Sequence, residues 1–135
     1  MSIKTFTPIV PTLNPGPNTV PGTPPLDPEE LVFTAVGQTG DLVPISTERL
    51  TMVFIKNTSS GTPTITLDSQ LDPWGADSCH DLVITMSAGN VTPNIKLVGV
   101  LLPYRWRNTA GYCTLTYSAT SGLSVAVVHV PYTSN

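Results

Sequence analysis

Charge is scarce in this 135-residue chain: only 11% of its residues are Asp, Glu, Lys or Arg. An average soluble domain carries about a quarter. Helix surfaces are normally filled with those residues, so their shortage argues against a helical protein. The six Lys and Arg are scattered and outnumbered by nine Asp and Glu, for a net charge of −3. Binding to nucleic acid through phosphates needs a clustered basic patch, and none is present. No apolar run approaches the roughly 20 residues of a membrane-spanning helix. The first residues hold one lysine, no long apolar stretch and no small-residue cleavage pattern, so no secretory signal is expected. Neither nucleic acid nor a membrane is therefore expected as a partner.

Cysteine is also sparse. Cys79 and Cys113 are the only two, too few for a disulfide-built scaffold. A chain made in a reducing cytoplasm should keep them as thiols, although one bridge between them is arithmetically possible.

Proline, by contrast, is abundant and unevenly placed. Of fourteen prolines, eight fall in the first 28 residues: Pro8, Pro11, Pro15, Pro17, Pro21, Pro24, Pro25 and Pro28. Proline has no N–H and excludes its predecessor from the helical region. Residues 1–28 are therefore expected to be an extended arm, with the folded domain over residues 29–135. At about 3.1 Å per residue such an arm reaches roughly 80 Å. Unlike a Gly/Ser linker, it carries apolar teeth. Ile3, Phe6, Ile9, Val10 and Leu13 are the expected contacts to a neighbouring subunit or surface.

Asp27-Pro28-Glu29-Glu30 has the order of a helix start, with an N-cap, a proline at N1 and a glutamate at N3. The β-prone residues 31–36 (LVFTAV) follow and end at Gly37, so at most one helical turn is expected before a strand. Beyond this point period-two alternation dominates, and no convincing 3.6-residue period or internal repeat is found. Residues 50–56 (LTMVFIK) form a strongly apolar strand, closed by Asn57-Thr58-Ser59-Ser60-Gly61. Residues 63–68 (PTITLD) look like its hairpin partner, with Ile65 and Leu67 inward. Residues 81–86 (DLVITM) turn Leu82, Ile84 and Met86 inward, and residues 95–102 (IKLVGVLL) should be buried on both faces. Residues 112–118 (YCTLTYS) place Cys113, Leu115 and Tyr117 inward, before residues 123–130 (LSVAVVHV). Seven or eight short strands separated by turns imply an all-β, antiparallel β-sandwich, either jelly-roll or immunoglobulin-like.

The second half resembles the small capsid decoration proteins of phages, which stabilise the head. The similarity lies in residues 50–57 (LTMVFIKN) with their Ser/Gly turn, in Ser87-Ala88-Gly89, and in Leu102-Pro103-Tyr104. It is greatest in residues 111–130 (GYCTLTYSATSGLSVAVVHV), which match the closing hairpin of that family. The resemblance spans about residues 31–130. It implies a structural virion protein, usually trimeric, seated on the capsid exterior against the major capsid protein and assembled in the host cytoplasm. The loop from Trp74 to His80 and the arginines flanking Trp106 depart from the family pattern.

No catalytic constellation stands out, so the chain is read as a non-enzyme without cofactors. The segment 72–81 mixes Asp72, Asp77, Cys79, His80 and Asp81, but structural zinc needs two spaced ligand pairs. Cys79 and His80 are adjacent and would point to opposite faces of a strand. The acidic spacing does not build a calcium loop. There is no nucleophile elbow, and His129 sits far from His80 in the last strand. Tyr104, Arg105, Trp106 and Arg107 form the other notable group. They suit an interface, since Arg and aromatics are enriched at hot spots, or equally the capped end of a sandwich. Besides decoration of a capsid, the pattern admits a carbohydrate- or receptor-binding module of a phage fibre.

Overall fold

A computed structural model describes residues 2–11, 30–70 and 81–131. Among the described residues eight strands run in chain order: β1 (Thr34–Ala35), β2 (Asp41–Pro44), β3 (Arg49–Asn57), β4 (Thr64–Leu67), β5 (Leu82–Thr85), β6 (Asn94–Leu101), β7 (Tyr112–Tyr117) and β8 (Leu123–Pro131). One helical turn, α1 (Pro103–Trp106), precedes β7. The strands form two four-stranded sheets ordered β1-β8-β3-β6 and β2-β7-β4-β5. All strand pairs are antiparallel. The expectation of an all-β antiparallel sandwich is met.

Alternation builds the core. Along β3, Thr51, Val53, Ile55 and Asn57 are buried while Leu50, Met52, Phe54 and Lys56 are not. Ile65 and Leu67 of β4 and Cys113, Leu115 and Tyr117 of β7 face them, as the sequence pattern predicted. Leu123, Val125 and Val127 of β8 complete the layer.

The connections differ from expectation. β3 and β4 lie in different sheets, as do β7 and β8, so neither pair is a hairpin. Among the described strands, only β4 and β5 follow one another and are also paired. A Ser/Gly turn and an alternating strand satisfy either sheet equally well, because the inward face is apolar on both sides. The β3–β4 turn is committed to crossing by Asn57. Its Nδ2 donates to the carbonyls of Gly61 (3.0 Å) and Ser87 (2.9 Å), and its Oδ1 accepts from Ser59 N (3.0 Å) and Ser59 Oγ (2.7 Å). Gly89 packs so closely here that a Cβ would collide with the Asn57 carbonyl.

A second difference concerns β6. Among the described residues it is an edge strand, and Ile95, Leu97 and Val100 are exposed rather than buried on both faces. A continuous apolar run reads as a central strand, but its sheet ends there. Strand β2 and helix α1 were not anticipated. Four residues are too few to display a period, and β2 opens on an aspartate and ends on a proline.

Candidate interaction surfaces

Residues 2–11 are not a free arm but lie along the sandwich. The segment makes parallel bridges from Thr5 to Leu42 of β2 and from Ile9 to Val128 of β8, and so spans the gap between the two sheets. Leu42 N donates to Lys4 O (2.8 Å), Phe6 N to Leu42 O (3.0 Å), Ile9 N to Val127 O (2.8 Å) and His129 N to Ile9 O (2.9 Å). Phe6, expected to dock on a neighbour, is 3% exposed and belongs to this chain's own core. Proline does not prevent this, because an isolated edge contact uses few N–H groups. Ile9 is half-buried, whereas Ile3 and Val10 remain exposed. Leu13 lies outside the described residues, as do Asp27, Pro28 and Glu29 of the expected helix start.

Asp41, at the start of β2, ties the segment down. It is fully buried. Its Oδ1 accepts from Lys4 N (2.8 Å) and Gln38 N (3.1 Å), and its Oδ2 from Gly37 N (2.7 Å) and the Tyr117 hydroxyl (2.9 Å). Burial alone would raise the carboxyl pKa, but these four donors together hold it below the usual range. The Tyr117 hydroxyl is pushed up, first by burial and then by its bond to Asp41. Gly37 meets Ser2 at a distance where no Cβ fits. Sequence reading missed this hub; its one visible signal is a carboxylate opening an otherwise apolar strand.

The group 104–107 divides between the two roles expected of it. Trp106 is buried and caps the core, with the Arg105 guanidinium 4.9 Å from its ring centroid. Arg107 Nε donates to Ile45 O (3.2 Å). Tyr104 is 78% exposed. The structure therefore places one aromatic in the core and one on the surface.

A larger surface was not foreseen. β6 pairs with β3 so that Ile95, Leu97 and Val100 lie opposite Lys56, Phe54 and Met52 on the outer face. Across β3, Met52 and Phe54 in turn face Val128 and Ala126 of β8. Ile95 and Leu97 are 51% and 52% exposed. The one lysine of the strand, Lys96, turns its Nζ to Thr85 O (2.6 Å), away from this face.

Of the polar loop 72–81 only Asp81 is described, so Asp72, Trp74, Asp77, Cys79 and His80 lie outside the described residues. Asp81 Oδ1 accepts from Ser69 N (2.8 Å). Nearby Asp68 has a raised pKa, through burial and then the Asp81 charge. Cys113 is a free, buried thiol, pushed up to about 12 by burial and by the neighbouring carboxylates. His129 is buried, with Nε2 2.9 Å from Pro44 O, so that nitrogen carries the proton. Among the described residues no group of three or more His, Cys, Asp or Glu is placed to hold a metal, no pocket opens, and no helix is long and apolar enough to cross a membrane.

By fold the chain is thus an antiparallel two-sheet protein whose notable features are surfaces. No family model, curated protein or solved structure matches it.

Proposed function

We propose that this chain is a structural virion protein that binds the exterior of a phage capsid, against the major capsid protein, as a decoration or cement protein. The observation that carries the reading is the apolar outer face ending at the open β6 edge, with Ile95, Leu97 and Val100 exposed beside Phe54 and Met52. Contiguous exposed apolar surface marks an interaction site. The bulge opposite Val53 and Phe54 and the inward-turned Lys96 discourage strand addition at β6, so the contact is read as made by the apolar face and not by the backbone edge. In a chain with 11% charged residues, such a face favours a permanent partner over free solution.

The strand order supports the same class. The pairs β1·β8, β2·β7, β3·β6 and β4·β5 nest inside one another. We read this as an eight-stranded jelly roll rather than an immunoglobulin-like sandwich. Jelly rolls are common among viral capsid and lectin domains. The second reading, a carbohydrate- or receptor-binding module of a fibre, rests on exposed Tyr104 beside Arg105 and Arg107.

Co-sedimentation separates the two. Full-length protein should pellet with empty shells of its own virus and not with cell-wall polysaccharide. Ile95→Lys with Leu97→Lys should weaken shell binding at least tenfold. Equal binding by wild type and the double variant refutes the role of this face, and pelleting with polysaccharide alone selects the second reading.

A further inference from the structure

We propose that the groove holding residues 2–11 is a docking site for the same residues of a second copy, so that neighbouring chains exchange their N-terminal segments. This goes beyond attachment to a shell and holds whatever surface the protein binds.

The groove recognises a short extended peptide. Val127 O and the His129 N–H flank Ile9, Leu42 offers one N–H and one C=O, and Asp41 takes the Lys4 N–H. The site between the sheets takes Phe6. None of these contacts is part of a strand ladder, since Thr5 and Ile9 each make only an isolated bridge. The segment can leave without unpairing any of the eight strands, and an identical segment can replace it.

The tether makes exchange possible. β3 occupies one side of β8 along its whole length, so Ile9 and β1 share the other side. Ile9 lies opposite Val128 and Thr34 opposite Val125. Three residues of strand separate these anchors, about 10 Å. The 24 residues numbered 10–33 join them. By chain length alone, 24 residues can span at most about 80 Å. A folded domain of about 100 residues has a radius of gyration near 13 Å, so the reach extends well past an adjacent copy. One neighbour inside that reach is present at about millimolar local concentration. That is the same order as the tether gives the chain's own groove. Copies held side by side therefore compete for each segment; a reciprocal exchange gives a two-fold dimer, and a head-to-tail exchange gives a ring where its rotation closes.

The test uses full-length chains with Cys79→Ser. Chains carrying Ile9→Cys are refolded with chains carrying Val128→Cys and oxidised, while the double variant Ile9→Cys/Val128→Cys is oxidised alone. A mixed-chain disulfide is expected, growing in proportion to concentration below about 1 mM. The double variant should close within one chain when dilute. Absence of the mixed product at about 1 mM, while the double variant closes on itself, overturns the proposal. Failure of the double variant to close overturns it too, because the docking register would then be wrong.

Discussion

Replacing Asp41 with asparagine isolates the interaction that holds the N-terminal segment to the sandwich. The two carboxylate oxygens accept two donors each. An amide keeps one oxygen and turns an NH2 toward the other pair, whichever way it is oriented. In one orientation the amide confronts the buried Gly37 N–H, and in the other the N–H groups of Lys4 and Gln38. Hydrogen bonds to a charged group contribute about 1.5–3 kcal/mol each, and an orphaned buried donor costs about 1–3 kcal/mol. Lys4 N and Gln38 N are partly exposed and can recover water. The expected loss is therefore about 3 kcal/mol, a large share of a typical 5–15 kcal/mol. In urea, with a slope of 1–3 kcal/mol/M, that moves the midpoint by roughly 1.5 M. Tyr117→Phe removes a single donor and should cost about 1–2 kcal/mol. The pH dependence has a definite sign. Asp41 has a depressed folded pKa, so its contribution is present above the unfolded value of 3.8 and disappears as pH falls through the folded value. The gap between wild type and Asp41→Asn should therefore narrow on acidification. A midpoint shift below about 0.3 M at neutral pH, or a gap that widens in acid, refutes the reasoning.

The core makes a second prediction: Leu115→Ala should destabilise by about 2–4 kcal/mol and Val127→Ala by the lower end of that range, measured by denaturant midpoints, since both side chains are fully buried. For Asp68→Asn the expected sign at neutral pH is stabilising, because the half-buried carboxylate with its raised pKa is disfavoured when ionised, and the gain should fade as pH falls and Asp68 protonates. Cys113, raised to about 12, should resist alkylation at pH 8 in the native protein and react only after unfolding, which peptide mass mapping reads directly. Light scattering of protein released from particles should give about three times the 14.3 kDa chain mass, and a monomer both in solution and on the particle would exclude the trimer implied by the family resemblance.

Much of this protein is legible locally. Alternation along residues 63–68 and 112–118 is enough to mark Ile65, Leu67, Cys113, Leu115 and Tyr117 as core, because a strand's side chains alternate by geometry alone. Low charge and the absent 3.6-residue period determined the all-β class in the same way. What local pattern does not carry is the partner of each strand. The 50–56 and 63–68 strands look like a hairpin, yet the turn crosses between sheets because Asn57 is bound to Ser87, thirty residues away. Residues 95–102 look central but form an edge, since a strand's apolar content does not reveal where its sheet ends. Prolines marked residues 1–28 as unfit for a central strand, but not that Phe6 would fill a gap between two sheets. Asp41 became a hub only because folding brings Lys4, Gly37, Gln38 and Tyr117 to one carboxylate. Alternation and backbone chemistry are properties of neighbours in the chain and can be read from it. Sheet order, edges and the burial of a single charge depend on contacts between distant residues, and only the assembled structure decides them.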